Sequence, residues 1–205
     1  SGLPFIDIKY KKIFFLNYLD GLGMNVLYAP NFRFGIALNY YESRDFIHGY
    51  SNSVPFGVDA GVFGSISFGR LSAKLKLRQD ISNNHNGRLF SGRLGYRVPW
   101  SKKLRVNLNV NLTHADDEYM ETYFDVYPNQ ASTTSIVMYD AGAGIKDFGF
   151  GIGLIYGLDA SWILKGKLAY TRLLEDAQDS PLVDSDGGQG NDNQIQLGTA
   201  LAYSF

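Results

Sequence analysis

The chain of 205 residues contains no cysteine, and no part of it contains 18 consecutive apolar residues. The first absence excludes a disulfide framework and any thiolate-based site. The second excludes a transmembrane helix. Excess positive charge is also lacking, since 19 Lys and Arg face 20 Asp and Glu, which argues against a general nucleic-acid binder. Glycine (23 residues) and aromatic residues (15%) are abundant instead, a mixture that suits many strands joined by turns.

Apolar and polar residues alternate along much of the chain with the two-residue period of a β-strand. The alternation predicts about eleven strands and leaves helical periodicity only at 117–127. The clearest strands fall at 32–40, 71–78, 104–113, 148–156 and 195–205, and the others at 22–28, 56–68, 88–98, 161–173 and, in two short pieces, near 5–10 and 13–18.

Short and long connections alternate strictly between these strands. The short ones lie at 29–31, 69–70, 99–103 and 157–160, and the long ones at 43–55, 80–87, 115–144 and 174–192. In an up-and-down meander, alternate connections lie at opposite ends, so all short turns share one rim. This arrangement predicts an all-β, antiparallel up-and-down transmembrane β-barrel with short periplasmic turns and long extracellular loops.

A closed barrel with both termini on one side needs an even number of strands. We therefore expect one further strand before Leu3, about twelve strands in the intact protein, and a single barrel domain over residues 1–205.

The residue types indicate which face of the sheet meets lipid, because a soluble barrel alternates equally well with its apolar side inward. Large aromatics of the apolar face cluster beside the short turns and resemble half of an aromatic girdle. They are Tyr28, Phe32, Phe68, Trp100 and Trp162. The polar face combines glycines with nine cationic residues that are expected to line the lumen: Arg33, Lys74, Lys76, Arg78, Arg93, Arg97, Arg105, Lys165 and Lys167.

The predicted last strand carries apolar residues at every second position from Ile195 and ends the sequence on Phe205, with Tyr203 two residues before it. This pattern is similar to the signal that outer-membrane barrels present to the barrel-assembly machinery. Tyr203 and Phe205 are therefore predicted as the assembly signal.

From Asp116 onward the chain resembles the MipA/OmpV family of outer-membrane proteins. The resemblance is carried by the blocks at 116–124, 139–147, 170–177, 179–183 and 201–205. It implies a barrel in the outer membrane of a Gram-negative bacterium, in contact with outer-membrane lipid and lipopolysaccharide. Family members are described as scaffolds that link murein-cleaving and murein-synthesising enzymes of the periplasm, and as surface antigens or adhesins. The family pattern includes no catalytic residues and no cofactor.

Two features leave the function open. The cationic lumen, against which only few inward acids such as Asp59 are expected, is compatible with a small anion-permeable channel. It is also compatible with a filled barrel whose cations pair with acids from folded-in loops. The loop at 115–144 is too long for a simple connector, so three roles are open: a plug, a surface patch for a partner, or a solvated loop capped by aromatic packing on the rim. The residues predicted for a plug or partner patch are Asp116, Asp117, Glu118, Tyr119, Met120, Tyr123 and Phe124.

A hydrolase is the third and weakest hypothesis. The three histidines are His48, His85 and His114, and none stands in a recognisable activating arrangement with a nucleophile. We therefore expect no catalytic residues, no metal site and no cofactor, and a structural or scaffolding role in the cell envelope.

Overall fold

A computed structural model describes residues 7–17, 20–44, 53–129, 131, 136–159, 161–183 and 191–203. These residues form one eleven-stranded antiparallel sheet in which each strand pairs with the next along the chain. The strands are β1 (Asp7–Tyr10), β2 (Phe14–Asn17), β3 (Gly21–Ala29), β4 (Phe32–Tyr41), β5 (Gly57–Phe68), β6 (Leu71–Asp80), β7 (Arg88–Pro99), β8 (Leu104–Ala115), β9 (Gly144–Gly157), β10 (Trp162–Leu173) and β11 (Asn193–Tyr203).

Two short helices interrupt the long loops: α1 (Asp117–Phe124) follows β8, and α2 (Glu175–Asp179) follows β10. Within the described ranges, no helix is both long enough and apolar enough to cross a bilayer.

The prediction of an antiparallel up-and-down barrel fold with about eleven visible strands is confirmed. Most strand limits agree with the alternation to within two residues, but β9 starts earlier, at Gly144. Within the described ranges, β1 and β11 each pair on one side only. The twelfth strand and the single-domain boundary at 1–205 remain predictions.

The sheet exposes its apolar face and buries its polar face. One row across β4–β7 joins Ile36, Val62, Leu77 and Phe90, and each of these side chains is between 41% and 49% exposed. Lys76, one residue from Leu77, is only 8% exposed. A water-soluble barrel has the reverse arrangement, so this surface is built to contact an apolar environment.

The aromatic residues at the short-turn rim follow this pattern with one exception. Phe32 and Phe68 are exposed on the apolar face, and the ring of Trp162 packs 4.9 Å from that of Tyr203. Tyr28 was predicted for the same face, and that prediction is wrong. A bulge in β3 between Asn25 and Leu27 inserts one residue and reverses the alternation, so Tyr28 pairs with Arg33 on the polar face.

Candidate functional site

The pairing register places all nine cationic residues on the polar face of the sheet. Lys74 and Arg93 are directly opposite each other on β6 and β7, an arrangement that is repulsive unless an anion lies between them. The complete set is distributed over five strands, as Arg33, Lys74, Lys76, Arg78, Arg93, Arg97, Arg105, Lys165 and Lys167.

Asp20 provides an anion for the centre of this face. It lies just before β3, and its carboxylate forms an ion pair with Lys74. The ammonium of Lys76 lies 3.5 Å from the backbone oxygen of the same residue, and Arg93 is close enough to attract its carboxylate. We call Asp20, Lys74, Lys76 and Arg93 the basic chamber. It contains three cations and one carboxylate.

Next to Arg93, the lumen face of β8 and β9 carries a row of small and neutral residues. Glycines on β9 face asparagines on β8, and the side-chain amide of Asn109 donates a hydrogen bond of 3.2 Å to the carbonyl of Gly151. A Cβ atom at Gly151 would lie 2.7 Å from Nδ2 of Asn109, and one at Gly149 would lie 2.6 Å from the Asn111 amide. The glycines therefore make room for the asparagine side chains, which lie flat against the wall.

Helix α1 covers the rim that carries the long loops. Its N-cap is Asp116, whose carboxylate accepts a 3.2 Å hydrogen bond from the backbone N–H of Tyr119. Met120 and Phe124 are buried together with Leu89 and Ala115. Those last two residues lie on the lumen side of β7 and β8, so the helix packs onto the end of the lumen.

The two long loops beyond β8 and β10 are joined through α2. Buried Ser180 donates a 2.6 Å hydrogen bond to the carbonyl of Phe124, at the end of α1. The carboxylate of Asp125 accepts a 2.8 Å hydrogen bond from the backbone N–H of Ala141. The carboxylate of Asp176 accepts a 2.8 Å hydrogen bond from the backbone N–H of Gly142. We call α1, α2 and the segments 125–126, 139–143 and 180–183 the cap.

Burial and acidic neighbours shift the ionisation of the cap. Burial, followed by repulsion from Asp140 and Glu121, raises the pKa of Asp125 above its usual range. Burial also raises the pKa of Tyr139 to about 12, with Asp176 contributing through its negative charge. The phenol of Tyr139 therefore stays neutral and donates a 3.1 Å hydrogen bond to the carbonyl of Asp176.

A buried polar cluster lies directly beneath the cap and contains Asp59, Asp80 and His85. The Nε2 atom of His85 is 3.3 Å from Oδ1 of Asp59, whose other oxygen is 3.4 Å from Nη1 of Arg78. The ring of His85 also packs against Tyr41, at 5.0 Å between centroids. Tyr119 and Tyr123 of α1 contact the same imidazole from above, at 5.1 and 5.7 Å.

The three side chains Asp59, Asp80 and His85 bring ligand-type atoms within 4.8 Å of one another. Their hydrogen bonds nevertheless argue against a metal ion. Gly87 N–H donates to Nδ1 of His85 at 3.1 Å, so the neutral ring carries its proton on Nε2, the atom that would have to bind the metal.

Asp80 is fully occupied as a hydrogen-bond acceptor. It accepts five hydrogen bonds of 2.7–3.1 Å, one from the hydroxyl of Tyr41 and four from the backbone N–H groups of residues 82, 84, 85 and 86. The cluster is therefore suited to fixing the loop between β6 and β7.

The residues predicted as plug or partner patch divide into two groups. Those with packing roles are Tyr119, Met120, Tyr123 and Phe124, which point toward the polar cluster or the core of the cap. Asp116 and Asp117 accept backbone hydrogen bonds from Tyr119 and Ala143, and Glu118 is exposed.

Of the remaining predicted residues, Tyr203 contacts Trp162, whereas Phe205 and His48 lie outside the described residues. His114 pairs with Phe90 on the apolar face, away from the lumen.

Sequence reasoning missed Asp20 and Asp80. A local signal existed for Asp80, because the following Ser, Asn and Gly residues at 82–87 are typical of turns in which a carboxylate accepts backbone N–H groups. Asp20 had no such signal, since its partners are more than 50 residues away.

Comparison with known proteins gives consistent matches. Residues 1–205 match the protein family described as MltA-interacting protein MipA. The chain is similar to outer membrane protein OmpV of Vibrio cholerae serotype O1, with 28% identity over 157 residues. It is also similar to outer membrane protein Omp26La of Vibrio anguillarum, with 27% identity over 150 residues. Each alignment covers 72% of this chain and 54% of the relative, so the chain spans about half the length of the curated relatives it matches.

Proposed function

Because the chain belongs to the MipA family and is a protein of the bacterial outer membrane, we propose that it is a non-conducting, non-enzymatic barrel that serves as a scaffold for envelope proteins. The partners proposed for it are periplasmic enzymes that cleave and synthesise murein. The family description, MltA-interacting protein, supports a protein partner of this kind.

The observation that carries this proposal is the packing of α1 on the lumen. Met120 and Phe124 of the helix share a buried apolar core with Leu89 and Ala115, which face the lumen. An open pore needs a continuous water-filled path, and buried apolar contacts at one end interrupt it. Long loops mark the extracellular side of such barrels, so the interruption lies at the outer mouth.

Conductance of the purified full-length protein in planar lipid bilayers tests the closed lumen. We expect no stable open steps from the native protein. Met120→Asp places a charge in the apolar core of the cap and should produce open steps, whereas Glu118→Gln, at an exposed position on the same helix, should stay silent. Stable anion-selective steps from the native protein would contradict the proposal.

A scaffold must contact periplasmic enzymes through the short turns. The turn at 99–103 is the strongest candidate, because Trp100 is 73% exposed and the neighbouring Lys102 and Lys103 are also exposed. Exposed aromatic and basic side chains together form a typical protein contact. The area of one turn is small, so several turns or a larger assembly must contribute.

Co-purification from detergent-solubilised envelopes tests this contact. A protein carrying Trp100→Ser and Lys103→Ser should retain less of a murein transglycosylase than the native protein. Glu118→Ser, on the opposite rim, is the matched control and should retain the native amount. Equal retention by all three proteins would reject the proposed contact surface.

A small anion channel is the second candidate, and the basic chamber favours it. Lys74, Lys76 and Arg93 face one carboxylate, that of Asp20, so the middle of the lumen attracts anions. This candidate requires the cap to open, and the bilayer measurement above distinguishes the two.

A further inference from the structure

The apolar face carries a groove that the functions above do not use. It has a volume of about 640 Å³ and runs across β3–β6. Such a volume is within the range of about 300–1,000 Å³ that is typical of sites for small ligands. Its outward lining includes Leu22, Ile36, Leu38, Ala60, Val62 and Leu77.

The shape of the groove follows from its side chains. Ala60 is directly opposite Leu38 on one side and Gln79 on the other, so a small residue lies between two large ones. The surrounding leucine and valine side chains are exposed and apolar. The resulting furrow has apolar walls and opens outward, toward the hydrocarbon of the membrane.

Gln79 lines one end of the groove, and its direct neighbour on β7 is the cationic residue Arg88. Ala60, Gln79 and Arg88 form one row across β5, β6 and β7. The side-chain amide of Gln79 uses both of its polar atoms. Its nitrogen donates a 3.0 Å hydrogen bond to the carbonyl of Asn86, and its oxygen accepts a 2.7 Å hydrogen bond from Nε of Arg88. The guanidinium of Arg88 is therefore oriented beside the groove.

Arg88 is the first residue of β7, so this row lies at the long-loop end of that strand. The next outward residues toward the membrane centre are Leu77 on β6 and Phe90 on β7, both apolar and exposed. The loop between β6 and β7 belongs to the long-loop rim, so Arg88 lies at the level of the outer-leaflet headgroups. Within the described part of the chain, no carboxylate forms an ion pair with Arg88.

We propose that this groove binds one lipopolysaccharide molecule of the outer leaflet, with an acyl chain along the Ala60 furrow and a lipid A phosphate on Arg88. An oriented guanidinium binds phosphate through paired charge-assisted hydrogen bonds. The apolar lining accounts for binding of the acyl chain, and Arg88 accounts for binding of the phosphate. The inference rests on the outward face lying in the membrane and does not depend on the scaffold role.

Native mass spectrometry of the full-length protein in mild detergent, titrated with bisphosphorylated lipid A, tests the site. Arg88→Gln should weaken binding about ten-fold or more, as expected for the loss of one charge-assisted contact. Ala60→Leu fills the furrow and should weaken binding as well. Ala60→Val is the smaller alternative if the leucine protein fails to show the heat-sensitive gel mobility of a folded barrel.

Two control variants separate the site from general effects. Gly64→Leu places the same leucine side chain on β5 at an outward position with open space around it, and it should bind as the native protein does. Arg70→Gln removes an exposed cation at the short-turn rim and should also bind normally. Native affinity in both the Arg88→Gln and Ala60→Leu proteins would overturn the proposal.

The ligands give a further test of the assignment. Lipid A without phosphates should bind less tightly than the bisphosphorylated form. Phosphatidylglycerol, which supplies a phosphate and chains of another lipid class, should compete poorly. Equal binding of the dephosphorylated lipid would reject the role of Arg88, and equal binding of phosphatidylglycerol would reject lipopolysaccharide as the occupant.

Discussion

The cap and the lumen carry opposite charges, although the chain as a whole has a net charge of −1. Carboxylates such as Asp125 and Asp176 are concentrated in the cap, whereas nine cations occupy the polar face of the strands. Net charge therefore says little about either region. What matters is the distance over which charges act, and this is about 10 Å or less in saline.

The two regions also use their charges differently. In the cap and the loop beneath it, Asp80, Asp125 and Asp176 accept hydrogen bonds from backbone N–H groups and so hold loops in place. In the lumen, Lys74 and Arg93 are brought together by strand register and share Asp20. Acids thus determine the shape of the outer end, and cations determine the electrostatic potential of the lumen. The four predictions that follow test this division.

Replacing Asp80 should have the largest effect. Asp80→Ala removes the carboxylate that accepts five hydrogen bonds. Four of its donors, backbone N–H groups beneath the cap, then lose this acceptor. We expect a loss of about 3 kcal/mol in the free energy of unfolding, measured by urea titration in lipid vesicles. Asp80→Asn, which keeps one acceptor oxygen, should lose less. Equal stability of the native and alanine proteins would show that the loop does not need this carboxylate.

Filling the small-residue wall should have the next largest effect. Gly151→Leu forces a side chain against the Asn109 amide, and we expect a loss of about 2 kcal/mol from overpacking in the same urea titration. Gly64→Leu, on the outward face, should change stability little. The interpretation fails if both substitutions have equal effects, or if Asn109→Ala does not partly rescue Gly151→Leu.

Ser180 tests the link between the two long loops. Its hydroxyl donates to the carbonyl of Phe124, and both groups are buried. Ser180→Ala should loosen the cap by about 1 kcal/mol and speed its cleavage by protease, while the strands remain intact. Ser82→Ala, in the loop beneath the cap, serves as the comparison. An unchanged rate of cap cleavage in the Ser180 variant would show that the hydroxyl does not stabilise the cap.

The smallest expected effect is the pH dependence of the cap. Burial raises the pKa of Asp125, so the folded cap favours the protonated acid. This contribution is fully present below about pH 4, the usual pKa of an aspartate, and is lost as the pH rises through the raised value. The protection of the Ala141 amide against hydrogen exchange, relative to an unfolded amide at the same pH, should therefore be lower at pH 7.5 than at about pH 4. Asp125→Asn should remove that difference, and an identical pH profile in both proteins would contradict it.

The sequence was sufficient for the strands because alternation is a local property. Whether a side chain faces lipid or lumen depends only on its position in the strand, provided that no residue is inserted. Tyr28 shows the limit of this reasoning, because the bulge after Asn25 leaves two consecutive apolar residues, Val26 and Leu27, exposed and moves Tyr28 to the other face.

The site was less predictable, because it depends on contacts between distant segments. His85 lies in a loop rich in turn residues, where histidines are usually exposed, yet the closing of α1 over it leaves it buried. The cations of the lumen followed from their positions in the strands, whereas the pairing of Lys74 with Asp20 requires the folded sheet.

Trp100 and Trp162, the two tryptophans of the chain, both lie at the short-turn rim, while the aromatic residues of the cap include Tyr119, Tyr123 and Tyr139. Brominated phospholipids quench indole emission over short distances, so fluorescence of this protein measures the depth of a single rim. Protease cleavage of the cap, in contrast, responds to packing at the opposite end. Insertion into a bilayer and ordering of the surface loops can therefore be timed separately in one refolding experiment, without introducing any label.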